Sequence, residues 1–179
     1  MIQMVQLIEL GNRTLMKVLA FFIRNPSIKI SYTNLRKRVK LAKATLAKNL
    51  NFLLKGGLIR EERIGLNKIY CLDKESVLVK HLKILDNLLV LGKINHLCSK
   101  HNIEIYLYGS AARGEDNEES DIDLLIMGKI SKEQIYEDLK KFAGRKIKIV
   151  IFTKLEWAEM SKNDPAFYER VEKDKIRLC

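Results

Sequence analysis

Apolar positions recur at helical intervals from early in the chain. Leu15, Val18, Leu19 and Phe22 form one face of a helix that Asn25-Pro26 stops. Ser31 caps a short helix carrying Leu35 and Val39, and a third helix runs from about Ala42 to Lys55 with Leu46, Leu50, Leu53 and Leu54 inward. Gly56-Gly57 ends it, because glycine adopts a left-handed cap at least cost. Two strand-like runs follow, Leu58 to Ile64 and Lys68 to Leu72, joined as a hairpin by Gly65-Leu66-Asn67. From Glu75 to Lys100 there is no proline and one glycine, and Leu78, Leu82, Leu85 and Leu89 repeat at steps of four, three and four. That spacing draws an apolar seam along a helix. The seam packs within its own chain or, as the second reading, against another copy.

The second half reads as strands. Ile103 to Tyr108, Leu124 to Met127 and Lys146 to Phe152 are short apolar runs. Gly109-Ser110 closes the first, and Asp121-Ile122-Asp123 opens the second. Strand alternation projects Asp121 and Asp123 from one side, about 7 Å apart along the chain. Two carboxylates on one face repel unless a cation or a proton lies between them. They are therefore candidate ligands for Mg²⁺, with Gly109-Ser110 as a phosphate cradle beside them.

These motifs, Tyr108-Gly109-Ser110-Ala111-Ala112-Arg113-Gly114 and Ser120-Asp121-Ile122-Asp123-Leu124-Leu125-Ile126, resemble the signature of the DNA polymerase beta nucleotidyltransferase superfamily. The likeness is to its small prokaryotic members of archaeal type, the minimal nucleotidyltransferases. It runs from about Leu85 to the end, including Asn163-Asp164-Pro165-Ala166-Phe167 and Ile176-Arg177-Leu178. The resemblance implies that Asp121 and Asp123 are catalytic and metal-binding, and that Gly109, Ser110 and Arg113 contact the nucleotide; Lys148 joins them as a candidate nucleotide contact on the chemistry of its ammonium. A nucleoside triphosphate would be substrate or ligand, with Mg²⁺ as cofactor.

One position departs from that family. Its third carboxylate, on the next strand, falls on Lys148, and no Asp or Glu occurs between Asp138 and Glu156. A change of strand register therefore cannot restore the ligand. An ammonium about 4 Å from a divalent ion is repelled by ~8 kcal/mol at an effective dielectric of 20. Lys148 can instead pair with Asp121 or Asp123, grip a phosphate, or extend to solvent. Glu156 and the acidic loop Glu115, Asp116, Glu118 and Glu119 are the candidate substitute ligands.

Charge separates the two halves. The net charge is +11; residues 1–101 carry 19 Lys and Arg against 6 Asp and Glu, and residues 102–179 carry 14 against 16. Such a basic first half points to phosphate backbones or acidic membrane surfaces. Its order of helix, helix, helix and hairpin, with Leu53-Leu54-Lys55-Gly56-Gly57-Leu58-Ile59, resembles the winged helix-turn-helix of prokaryotic transcription regulators over about residues 12–73. That resemblance implies double-stranded DNA as partner. Lys43, Ala44, Thr45, Lys48 and Asn49 of the third helix would face the major groove, Arg36, Lys37, Arg38 and Lys40 the backbone, and Arg63 and Lys68 would lie on the wing.

The expected fold class is α+β in two domains: a winged helix-turn-helix over 1–74, a connecting helix over 75–100 whose second part leads onward, and a nucleotidyltransferase-like mixed sheet with flanking helices over 101–179. Leu15 to Ile23 is interrupted by Lys17 and too short to span a bilayer, and there is no signal-peptide layout. A cytoplasmic protein without membrane contact is expected. Cys71, Cys98 and Cys179 lack metal-ligand spacing and read as reduced packing thiols. Three functions follow: a DNA-binding regulator whose second domain keeps the nucleotidyltransferase fold; an active Mg²⁺-dependent enzyme passing a nucleotide monophosphate to a protein or small molecule; and an antitoxin-like partner of a small helical toxin. Homodimerisation fits the first, and a small protein partner the third.

Overall fold

The computed structural model describes residues 11–143 and 145–179. The chain forms two compact units, Met1–Lys80 and His81–Cys179. Both combine helices with a small sheet: antiparallel in the first unit, mixed in the second.

The first unit runs α1 (Arg13–Arg24), β1 (Ile30–Ser31), α2 (Tyr32–Val39), α3 (Lys43–Lys55), β2 (Ile59–Ile64) and β3 (Asn67–Leu72). Asn12 starts α1 by accepting the amides of Thr14 and Leu15, and Ser31 starts α2 by accepting that of Asn34. Leu15, Val18, Leu19 and Phe22 are buried, as are Leu35, Val39, Leu46, Leu50 and Leu53. Each such side chain contributes on the order of 2 kcal/mol. The sheet order is β1-β3-β2, with Ile30 opposite Tyr70 and Ile64 opposite Asn67. A two-residue turn links the hairpin strands, and Gly65 takes the positive φ (+59°) it needs.

The uninterrupted helix expected over 75–100 is divided. The structure has α4 (Val77–Leu91), a 3₁₀ turn at Gly92–Ile94, and α5 (Asn95–His101). The single glycine of the stretch marks the break. The reading in which the leucine seam packs within its own chain holds only for Leu82, which is 8% exposed, whereas Leu78, Leu85 and Leu89 are 40%, 50% and 67% exposed. The inward side of α4 instead passes through Val79, Leu82 and Lys83.

The second unit continues with β4 (Glu104–Tyr108), α6 (Ser110–Arg113), β5 (Ile122–Met127), α7 (Lys132–Ala143), β6 (Ile147–Phe152), α8 (Lys154–Asn163), α9 (Pro165–Asp174) and β7 (Ile176–Arg177). Its sheet order is β6-β5-β4-β7; β5 and β6 are parallel and the other pairs antiparallel. Alternation divides the side chains between two apolar layers. Ile105, Leu107, Ile122, Leu124, Ile126, Ile147 and Ile149 join a core with residues of α5 and α7. Tyr106, Tyr108, Leu125, Met127, Val150 and Phe152 join the other with Trp157, Phe167, Tyr168 and Val171 from α8 and α9.

The cysteine expectation is corrected. Cys98 in α5 and Cys179 form a disulfide, with Cα atoms 6.2 Å apart, and Cys71 alone is a free, buried thiol. The cause is β7, which pairs with β4 directly after α5 and carries the last residues alongside Ile105. Among the described residues no helix is long and apolar enough to cross a membrane.

Candidate functional site

Gly109 ends β4 with φ +74° and ψ −153°, a conformation that favours glycine, and turns the chain into α6. Its carbonyl accepts the amides of Ala112 and Arg113. With only four residues, α6 has little helix dipole. The donors it offers a phosphate are local: the Ser110 hydroxyl and the first-turn amides that lack intrahelical partners.

Across the strand pair Asp123 lies opposite Tyr108, and its parallel neighbour in β6 is Lys148. Paired residues of adjacent strands share a face, so Asp123 and Lys148 belong to the layer of Tyr108, Phe167 and Trp157. That layer explains the electrostatics. Burial beside it pushes the Asp123 carboxyl above the ordinary aspartate value, and Lys148, Arg170 and Arg113 offset this only in part. Among the described residues no hydrogen bond or ion pair reaches the Asp123 carboxylate.

Asp121 has a different environment. The Lys148 ammonium lies 2.8 Å from Asp121 Oδ2, and this hydrogen bond holds the Asp121 carboxyl below its usual range. The same contact raises the Lys148 ammonium. Of the three fates open to Lys148 in the sequence, the structure has the ion pair.

Three of the candidate substitute ligands, Glu156, Asp116 and Glu115, are engaged elsewhere. Glu156 closes a capping box with Thr153 at the start of α8. Asp116 is buried between Lys83 and Arg145, and Glu115 pairs with Arg113. Among the described residues no group of three or more His, Cys, Asp or Glu could hold a metal ion. Two carboxylates, one of them neutralised by an ammonium, do not fit Mg²⁺ as they stand.

Several candidate contact residues have partners within the chain, and one, Asn49, is corrected to a buried place. The Arg113 guanidinium, expected on a nucleotide, is 2.6 Å from Asp174 and 2.8 Å from Glu115, tying α6 to the end of α9. Asn49, expected at a DNA groove, is 4% exposed and donates to Thr14 Oγ1 at 3.1 Å. Thr45 is half-buried, and the Lys68 ammonium pairs with Glu61 at 2.9 Å. Arg36, Lys37, Arg38, Lys40, Lys43, Ala44, Lys48 and Arg63 are exposed. The sequence reading missed Arg170, whose guanidinium lies 5.5 Å from the centre of the Phe167 ring and whose field reaches Asp123. Its place on α9, 47 residues after Asp123 in the chain, leaves no local signal.

A glycine-turned strand-to-helix junction thus lies beside paired carboxylates on a mixed sheet. Residues 92–178 match the family model of the nucleotidyltransferase domain, so this part of the chain is a nucleotidyltransferase domain of the polymerase beta superfamily. Domains of that family typically use Mg²⁺ and a nucleoside triphosphate. Comparison with curated proteins found no match, and comparison with solved structures found none either.

Proposed function

We propose that the chain is a DNA-binding transcriptional regulator whose nucleotidyltransferase domain holds a nucleotide without transferring it. The observation that carries this reading is the Lys148 ammonium 2.8 Å from Asp121, at the position where the family's third carboxylate is expected. A divalent ion must displace that ammonium before it can use Asp121. Phosphate binding needs no such exchange: the Ser110 hydroxyl, the amides after Gly109 and Lys148 itself are all suited to anionic oxygens.

We read the first unit as a winged helix. The order α1-β1-α2-α3-β2-β3 with an antiparallel β2-β3 hairpin supports it. So does an exposed run of cations, Arg36, Lys37, Arg38 and Lys40 leading to Lys43 and Lys48. An active transferase is the second reading, favoured by Asp123, a half-buried carboxylate with no ion-pair partner among the described residues.

Two measurements test the proposal. Duplex DNA is titrated at rising salt, and affinity should fall by roughly 10³-fold between about 50 and 200 mM. Triphosphates labelled at the α-phosphate are incubated with the protein, cell extract and Mg²⁺ or Mn²⁺, and no label should move. Transfer abolished by Asp121→Asn with Asp123→Asn would establish the enzyme instead. A duplex affinity insensitive to salt would remove the DNA-binding half.

A further inference from the structure

Among the described residues of the second unit, the buried charges are Lys83 on α4 and Asp116 in the loop between α6 and β5. Asp116 is 4% exposed, and three side chains converge on it. Lys83 of α4 donates to its backbone carbonyl and lies 3.2 Å from its Oδ1. Arg145, just before β6, donates to its Oδ2 at 2.6 Å and to the Asn117 carbonyl at 3.4 Å. Asn87 donates to Asp116 Oδ1 at 3.4 Å and to the Ala111 carbonyl, inside α6, at 3.1 Å.

Lys83 and Asn87 are four residues apart and so share one face of α4. That face grips both segments of the nucleotide site. Through Ala111 it holds the turn that presents Ser110, and through Asp116 it holds the loop that delivers Asp121 to the start of β5. Local bonds also shape the loop: Glu115 N–H to the Ser110 carbonyl, Asn117 N–H to Ser120 Oγ, and Glu119 N–H to Asn117 Oδ1. A buried ammonium and a partly buried guanidinium against one buried carboxylate are a costly way to pack a loop, because apolar residues of similar volume often serve stability as well or better. The cluster does something an apolar plug cannot, which is to hold a polar backbone in one register.

We infer that Lys83, Asn87, Asp116 and Arg145 are positioning residues for the nucleotide site, and that α4 is the element that sets it. The inference rests on the reading of Gly109-Ser110 with Asp121 and Asp123 as a nucleotide site. Binding linkage is reciprocal, so a nucleotide held on this loop steadies α4 in return. The site is thereby regulated from a helix that starts at Val77, before the residues matched to the nucleotidyltransferase family.

The test uses the full chain with ATP and GTP in calorimetry, alongside amide hydrogen exchange. Lys83→Met and Asn87→Ala should each weaken binding by roughly tenfold, and Lys83→Arg should return most of it. Leu89→Ala, on an exposed position of the same helix, should change nothing. Exchange at residues 115–122 should accelerate in Lys83→Met, while Ile105 and Leu107 of β4 stay protected. Folded Lys83→Met and Asn87→Ala proteins that bind like the parent, with unchanged exchange, would overturn the inference. If Lys83→Met does not fold, Asn87→Ala decides by the same two readouts. If the parent binds neither nucleotide, the nucleotide reading falls, and the exchange comparison still decides whether the clamp orders the loop.

Discussion

Gly109 faces Asp123 so closely that a methyl group on the glycine would lie 2.7 Å from the carboxylate Oδ2. The position also has a φ of +74°, so an added side chain meets both backbone strain and a charged oxygen. Gly109→Ala is expected to cost about 2 kcal/mol or more in urea unfolding. Adding Asp123→Gly should recover the part due to the close approach and leave the part due to backbone strain. An unchanged unfolding midpoint for Gly109→Ala would show that the turn tolerates a different path.

Lys148 sets the site's metal affinity. Lys148→Asp replaces an ammonium with the third carboxylate and removes the cation that neutralises Asp121. Mn²⁺ binding followed by electron paramagnetic resonance should tighten by at least roughly tenfold, since hard divalent ions gain from each added oxygen ligand. Equal Mn²⁺ affinity in the parent and Lys148→Asp would mean that the ion pair does not govern the site.

Asp123 makes stability depend on pH in a direction opposite to most carboxylates. Its folded pKa is raised, chiefly by burial, above the unfolded value of 3.8. Below that value both states hold the proton and no penalty exists. As pH rises through the folded pKa, the native state must ionise a partly desolvated acid, and stability is lost. Asp123→Asn should therefore melt higher than the parent at pH 7, with the difference shrinking below pH 3.8. A constant difference across that range would assign the gain to packing.

The disulfide between Cys98 and Cys179 spans 81 residues of sequence. Chain entropy for a loop of that size corresponds to about 4.5 kcal/mol as an upper figure. Dithiothreitol should lower the melting temperature of the second unit. Cys179→Ser should melt at the lowered temperature with or without reductant. A parent protein indifferent to reductant would show that β7 stays docked through its hydrogen bonds alone.

What could be read in the sequence followed from local period. The two-residue repeat put Lys148 on the face opposite Ile147 and Ile149, and the family resemblance put it at the site; its place beside Asp123 came only with the register of the parallel pair. Helix α3 shows a missed local signal: Asn49 lies three after Leu46 and four before Leu53, on the buried stripe, and its polarity alone suggested an outward place. Asp164-Pro165 proves to be a helix start, with the Asp164 carboxylate accepting the Phe167 amide. Arg113 with Asp174, Lys83 with Asp116 and Cys98 with Cys179 are pairs far apart in sequence. No periodicity joins such residues; only the packed sheet does.

The lysine on β6 also bears on descent. Lysine and glutamate codons differ at a single base, so one point mutation, Lys148→Glu, would place an acid where the ammonium now contacts Asp121. Gly109, Ser110, Asp121 and Asp123 already stand in place around it. A lineage carrying this chain is thus one step from a three-carboxylate site, and the step can be taken in either direction.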